Sequence, residues 1–299
     1  MKRVWQAGVT QLVECNLAKV DVAGSNPVSR SISSHLRDIR RNSCFSSIPR
    51  SGFAFMILVE HANAIVRDAF GEFGEHIHVL TSFQREGLVI IDLALRANPN
   101  CKIVTIDTGR LPVATLKMME LVESHFGIPV DRIQPDAAEV EAMTSLHGMD
   151  LFRESVANRM LCCEVRKVRP LKRLESGAKA VFVGLRRGQA QSRAEVPVFE
   201  RGAGLVRVSP LAEWSAEDVL QYTKDRGLPE HPLYAANYRT IGCEPCTRAV
   251  LAGEHERAGR WWWEDEADKE CGLHFSADGR AMRKVDFLLS ELLNQVTAK

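Results

Sequence analysis

The chain has 299 residues, of which 45% are hydrophobic and 26% charged, and its formal net charge is +1. This balance excludes a strongly basic surface for nucleic acid, and without an apolar run of 18 residues we expect no membrane-spanning helix. Eight cysteines occur, some in close pairs. In a chain long enough to bury its own core, they favour metal ligation in a reducing cytoplasm over a disulfide framework.

Residues 1–55 differ in composition from the rest. They are rich in serine and arginine, poor in acids, and show no helix or strand periodicity. An organellar transit peptide has this composition, and an ordinary disordered tail would show the same lack of periodicity. The run Gly24-Ser25-Asn26-Pro27 instead favours an overlong reading frame across a transfer-RNA gene, with Met56 as the start. We predict an extension at 1–55 outside the fold, a single domain at 56–274, and a hinge with a terminal helix at 275–299.

From residue 57 onward, helical and strand patterns alternate, as is typical of an α/β fold with a parallel sheet flanked by helices. The predicted helices are 58–73, 86–97 and 113–126, and the predicted strands are 78–82, 102–107, 130–134, 180–184 and 206–208. A further helix begins after Ser215, which forms a capping box with Asp218. In such sheets ligands bind at the carboxyl ends of the strands.

Three loops follow predicted strands and are candidates for ligand binding. The loop 81–87 leads into a helix N-terminus, which can bind an anion, and Asp107 with Gly109 forms a turn. The loop 184–193 contains Arg186, Arg187 and Arg193 with no acidic residue among them. Because arginine binds phosphate or sulfate through paired N–H groups, we predict anion binding at Arg186 and Arg187.

Four cysteines occur as two close pairs, Cys162-Cys163 and the C-x-x-C pair Cys243 and Cys246. Together they supply enough thiolates for an all-cysteine metal or cluster site. Adjacent cysteines are awkward ligands for one tetrahedral zinc, since neighbouring side chains on a helix diverge by about 100°. A [4Fe–4S] cluster tolerates that divergence better, although the spacing alone leaves both metals open. Cys101 opens a buried strand and is expected to be a small core residue.

Cys271 belongs to neither pair and precedes His274 in the run Glu-Cys-Gly-Leu-His. A single cysteine near a histidine and downstream of clustered arginines is a candidate nucleophile. Three consecutive tryptophans, Trp261 to Trp263, lie upstream and are expected to contribute mainly packing.

Four motifs in this order resemble the assimilatory adenylyl-sulfate (APS) reductases and the related 3'-phosphoadenylyl-sulfate (PAPS) reductases. They are Cys-Cys-Glu-Val-Arg-Lys at 162–167, Cys-Glu-Pro-Cys-Thr-Arg at 243–248, Glu-Arg-Ala-Gly-Arg-Trp-Trp-Trp at 256–263 and Glu-Cys-Gly-Leu-His at 270–274. The resemblance covers roughly residues 57–275 and implies an adenine-nucleotide α-hydrolase-like fold. The loop 81–87 lacks the glycines and lysine of the related pyrophosphatase loop, which fits nucleotide binding without hydrolysis.

The resemblance also implies roles for individual residues. Cys162, Cys163, Cys243 and Cys246 would hold a [4Fe–4S] cluster, with Lys167 between cluster and substrate. Lys167 is expected one α-helical turn beyond Cys163. Arg257 and Arg260 would bind the substrate, with His274 as an active-site cation or hydrogen-bond donor.

The implied reaction is an attack by the Cys271 thiolate on the sulfur of adenylyl sulfate, which releases AMP and leaves an S-sulfocysteine. Thioredoxin or glutaredoxin would then release sulfite. Alternatives remain open: a PAPS or dual APS/PAPS reductase, an ATP-pyrophosphatase-type enzyme, and a zinc-stabilised nucleotide-binding regulator. The sequence also leaves the oligomeric state open, a homo-oligomer included.

Overall fold

The structure is a computed structural model that describes residues 52–190, 193–202 and 204–264, all of which lie in one compact unit. The predictions for Cys271, His274, the hinge and the terminal helix fall outside the described residues. Within the described residues, no helix combines the length and apolar character needed to cross a membrane.

The first helix, α1 (Gly52–Phe73), begins before the predicted boundary at residue 56. Residues 52–55, which the sequence places in the N-terminal extension, are therefore helical. Phe55 packs edge-to-face against Trp214 with ring centroids 6.0 Å apart. This aromatic contact explains why the helix extends upstream of Met56, because it ties the first turn to the core.

Six strands form one sheet in the described residues, in the order β3-β2-β1-β4-β6-β5. Their bounds are β1 (Ile77–Thr81), β2 (Ile103–Ile106), β3 (Val130–Ile133), β4 (Ala180–Phe182), β5 (Phe199–Glu200) and β6 (Val206–Val208). All neighbours pair in parallel except β5 with β6. The predicted parallel α/β architecture is confirmed, and the two-residue edge strand β5 was not predicted.

Six further α-helices lie between or after these strands in the described residues. They are α2 (Arg85–Ala97), α3 (Val113–Phe126), α4 (Ala137–His147), α5 (Val156–Cys163), α6 (Arg169–Leu174) and α7 (Ala216–Asp225). The bounds of α3 match the prediction, and α7 has the expected capping box, since Ser215 and Asp218 each accept the other's backbone N–H. The sequence analysis missed α4, α5 and α6.

Chain connections proceed from β1 outward to β2 and β3, and then return to the other side of β1 at β4. The direction of winding therefore reverses between β1 and β4. Ligands of open α/β sheets bind in the crevice outside the carboxyl ends of strands at such a reversal. Here the crevice is bordered by the loops 82–84 and 183–186.

The main core, which we call the sheet core, lies between α1, α2, α3, α7 and the strands. It is largely aliphatic, and residues such as Val79, Ile90 and Val208 have no exposed surface. A second, smaller cluster, the cysteine cluster, consists of Met143, Leu151, Phe152, Leu161, Cys162, Val165, Cys246 and Trp261.

Candidate functional site

The first cysteine pair closes α5, which starts at an N-cap where Ser155 accepts the backbone N–H of Asn158 at 3.1 Å. Cys162 is buried and Cys163 is partly exposed. The chain continues as a π-helical segment, Glu164–Val168. The expected α-helical turn between Cys163 and Lys167 is therefore wrong, because the wider i→i+5 winding replaces it. Single turns of this kind are frequent at functional sites.

The second pair lies in a short 3₁₀ turn, Glu244–Cys246, on an arm that leads from α7 toward the cysteine cluster. The backbone N–H of Glu244 donates to the carbonyl of Arg110 at 2.8 Å. The Thr108 hydroxyl and the Cys243 thiol are hydrogen-bonded at 3.2 Å. Both contacts attach the arm to the loop that follows β2.

All four paired cysteines line one pocket that is partly open to solvent. The other lining residues are Thr108, Arg110, Phe152, Arg159, Arg166, Lys167 and Pro245. Of these described lining residues, four are cationic and none is acidic. The fold thus brings together two cysteine pairs that are far apart in the chain, and it adds Lys167 to them.

Burial governs the ionisation of two of the cysteines. It raises the pKa of Cys162 to about 11, against the opposing effect of Arg166, and that of Cys246 to about 12, where Cys243 adds to the rise. Both thiols are therefore protonated near pH 7 in the protein alone. Since a metal binds the thiolate form, loading of this site would release protons.

The donor set fits a thiolate-bound metal group. Four soft sulfur ligands without carboxylate or imidazole favour an iron–sulfur cluster or zinc over hard cations. The four cations around the pocket would offset the charge of four thiolates. No group of three or more His, Cys, Asp or Glu side chains within the described residues is positioned around a single ion. The shared pocket still suits a cluster, because the thiolates of a cluster bind separate irons and need not converge on one point.

Three of the pocket cations were missed by the sequence analysis. Arg159 is 1% exposed and its Nε donates to both carboxylate oxygens of Glu264, at 2.7 and 2.9 Å. Arg166 donates to the Thr108 carbonyl at 2.9 Å, and Arg110 pairs with Asp150. Arg166 could have been predicted from the sequence, since it directly precedes Lys167 in the first motif. The pair of Arg159 with Glu264 could not, because its residues lie 105 positions apart.

The three consecutive tryptophans differ in burial. Trp261 is 2% exposed and packs within the cysteine cluster, with the guanidinium of Arg159 4.3 Å from its ring centroid. Trp262 and Trp263 are partly exposed, and Arg153 lies over both rings. The prediction that the run serves mainly in packing is confirmed for Trp261.

Arg260 lies close to the second cysteine pair. It bridges to Thr247 through the backbone, its guanidinium is 4.9 Å from the Trp261 ring centroid, and its charge opposes the rise in the pKa of Cys246. A Cβ on Gly242 would overlap that guanidinium, which would then have to shift. Arg257 is partly buried in the same segment.

Arg186 and Arg187 follow β4 at the crevice and both contact carboxylates. Arg186 is 4% exposed and pairs with Glu86 at 2.8 Å, while Arg187 pairs with Glu213 at 3.0 Å. The acidic partners are far away in sequence, which is why the loop looked purely basic. Anion binding by these two residues stays a prediction.

Comparisons with known proteins bear on the family and fold of this chain. The model of the phosphoadenosine phosphosulfate reductase domain family matches residues 76–249. The adenosine 5'-phosphosulfate reductase of Allochromatium vinosum is 44% identical over 196 residues, which are 65% of this chain and 77% of that protein. The enzyme of the same name from Rhizobium tropici is 44% identical over 178 residues, 59% of this chain and 99% of that protein.

Among solved structures, the phosphoadenylyl-sulfate reductase of Candida auris in its phosphate complex matches with a TM-score of 0.54 and 25% identity. The match covers 68% of this chain and 100% of that chain, which confirms the predicted fold class. Family match, sequence identity and fold agree, and the chain belongs to the APS/PAPS reductase family.

Proposed function

We propose that this oxidoreductase reduces adenylyl sulfate to sulfite and AMP in assimilatory sulfate reduction, through an S-sulfocysteine on Cys271. The relatives named adenosine 5'-phosphosulfate reductase support the substrate. The observation that carries the proposal is the single pocket that unites both cysteine pairs with Lys167 and three arginines. A cytoplasmic location accords with the number of free thiols this site needs.

In the first step the Cys271 thiolate attacks the sulfur of adenylyl sulfate. A sulfur–sulfur bond forms, the bond from sulfur to the AMP oxygen breaks, and AMP takes the electron pair. A dithiol protein such as thioredoxin or glutaredoxin then attacks the Cys271 sulfur and sulfite leaves. Its second thiol resolves the mixed disulfide, so that the dithiol supplies two electrons and is oxidised.

Positive charge is the main contribution we assign to this chain. Lys167, Arg257 and Arg260 bind and orient the anionic group, and His274 assists them. Cys162, Cys163, Cys243 and Cys246 would hold a [4Fe–4S] cluster, which when bound supplies an electrostatic field beside the substrate. Arg186 and Arg187 lie at the crevice after β4 and would add positive charge there.

Mass spectrometry tests the nucleophile. Anaerobically purified protein with APS and no thiol should carry one added sulfonate on Cys271. Cys271→Ser should retain iron and bind APS but form no sulfite, whereas Cys101→Ser should behave as wild type. An adduct on another cysteine, or sulfite formation by Cys271→Ser, would refute the mechanism.

Reduction of PAPS is the second candidate, favoured by the structural likeness to the Candida auris enzyme. It differs from APS reduction by the 3'-phosphate of the substrate. Comparing kcat/KM for APS and PAPS in one iron-loaded preparation decides between the two. We expect APS to be preferred, and a higher value with PAPS would reverse the assignment.

A further inference from the structure

The crevice between β1 and β4 contains a group of charged side chains, Arg186, Glu86 and Glu256. The proposed mechanism uses only the positive charge of Arg186 and gives the two glutamates no role. Arg186 occupies the centre of this group, with its side chain 5% exposed. Its Nε donates to Glu86 Oε1 at 2.8 Å, and its Nη2 lies 3.9 Å from Glu256 Oε2. One guanidinium therefore faces two carboxylates that come from separate segments of the chain.

Glu86 is fixed on the sheet side of this group. It lies in the first turn of α2, where the helix dipole stabilises a carboxylate. Gln189 donates to the same Glu86 oxygen at 3.1 Å, and a Cβ on Gly184 would lie 2.8 Å from the Glu86 Cβ. The loop after β4 and the start of α2 are thus in close contact around Glu86.

Glu256 belongs to the other side, the segment 254–260 that also carries Arg257 and Arg260. Backbone hydrogen bonds connect this segment to the C-x-x-C arm, with Arg248 N–H donating to Gly259 O at 2.9 Å. The contact of Glu256 with Arg186 connects this segment to the loop after β4. Burial raises the pKa of Glu256, and Arg186 opposes that rise and so favours its charged form.

We propose that Arg186 is a positioning residue which, through Glu256, holds the segment 254–260 at the crevice so that Arg257 and Arg260 face the substrate. The substrate named in this inference rests on the proposed function. The anchoring of the segment by Glu256 and Arg186 does not depend on which substrate binds. A direct anion ligand is disfavoured here, because an incoming phosphate or sulfate would have to displace Glu256 while Glu86 stays paired. The carboxylates would also repel it.

The sign of the Glu256→Ala effect separates the two roles. If Glu256 anchors the segment, its loss weakens binding, and KM for APS rises by about tenfold, within the usual range of couplings between contacting residues. If Arg186 binds the anion directly, removing a competing carboxylate leaves APS binding unchanged or tightens it. Arg186→Ala alone cannot decide, since both roles predict weaker binding.

The experiment uses the iron-loaded full chain and four proteins: wild type, Arg186→Ala, Glu256→Ala and the double variant. We expect the double variant to be no worse than Arg186→Ala, and Glu256→Gln, which keeps a hydrogen-bonding oxygen, to recover part of the KM. Arg201→Ala, which breaks an exposed arginine–glutamate pair with Glu72, is the matched control. Additive losses, or tighter APS binding by Glu256→Ala, would overturn the inference.

Amide hydrogen exchange supplies a readout that does not depend on the reaction. Peptides spanning 254–260 should exchange faster in Arg186→Ala and Glu256→Ala, while peptides from α3 stay as in wild type. Unchanged exchange at 254–260 would overturn the anchoring. If wild type makes no sulfite from APS but the exchange result holds, the proposed function fails and the anchoring stands.

Discussion

The sheet core and the cysteine cluster are built in different ways. The sheet core draws mainly apolar residues from α1, α2, α3, α7 and the strands, and apolar burial is its main source of stability. The cysteine cluster joins the region 143–165 to the region 246–261 and includes two buried cysteines, with the cation Arg159 in contact with its Trp261. The first region specifies the fold, whereas the second accepts polar and reactive groups within an apolar wall, as expected of a site.

The largest expected difference between the two regions concerns two matched cysteines. Cys101 in the sheet core and Cys246 in the cysteine cluster are each 7% exposed, and burial raises the pKa of both to about 12. We expect Cys246→Ser to lose iron and activity together, beyond the roughly 10- to 100-fold cost of losing a residue that supports a ligand. Cys101→Ser should keep both. Equal iron content in the two variants, measured anaerobically, would contradict the assignment.

The buried pair between Arg159 and Glu264 should give the next largest effect. Glu264→Gln leaves a guanidinium that is 1% exposed without its charged partner, which we expect to cost about 3 kcal/mol of unfolding free energy. The control is Glu72→Gln, which affects an exposed pair with Arg201 and should leave stability unchanged. Urea denaturation compares the two variants. Similar midpoints would show that Glu264 does not stabilise the buried charge of Arg159.

His231 lies on the arm that leads to the C-x-x-C pair. Its protonation therefore probes the connection between the sheet core and the cysteine cluster. His231 has no exposed surface, accepts the Leu233 N–H at Nδ1, and contacts the Thr115 hydroxyl on α3 through Nε2 at 3.0 Å. Burial lowers its pKa to about 4. Between pH 6.5 and 4 the unfolded chain therefore binds a proton that the folded chain does not, and stability falls as pH falls through this window.

At pH 5 this loss should reach about 2 kcal/mol relative to pH 7. His231→Gln should remove that part of the pH dependence, although it lowers stability at pH 7 by losing the packed ring. Unfolding free energies at both pH values give the comparison. A pH dependence of the same steepness in the variant would assign the acid sensitivity to other groups.

Substitution of Tyr222 should lower the unfolding free energy least, and it tests the sheet core rather than the cysteine cluster. Its hydroxyl donates to Asp92 at 2.6 Å and ties α7 to α2 within the sheet core. Asp92 keeps Arg226 as a partner, so Tyr222→Phe should cost about 1 kcal/mol. Iron content and KM for APS should stay the same, and a change in either would mean that the two regions are coupled.

The sequence predicted the sheet well, because its strands and helices alternate in local patterns. The bounds of α3 and the capping box of Ser215 depend only on neighbouring residues, and both were predicted correctly. What it could not show are contacts across the chain. Phe55 against Trp214, Arg186 against Glu86, and Arg159 against Glu264 each join distant segments that no periodicity connects.

The candidate site was predictable in part for the same reason. The two cysteine pairs have spacings that indicate ligation, and the fold places both in one pocket. The π-helical winding after Cys163 was not predictable, since its residues have no pattern that differs from an α-helix. The cations Arg110 and Arg159 contribute to the pocket only through tertiary structure.

The separation of the two cysteine pairs along the chain has a consequence for biosynthesis. The segment between Cys163 and Cys243 includes β4, β5, β6 and α7. At about 5–20 residues per second, a ribosome needs on the order of ten seconds to make it. Cys162 and Cys163 thus leave the ribosome with no second pair to join, and during that interval the nascent chain depends on the reducing capacity of its surroundings to keep them as thiols.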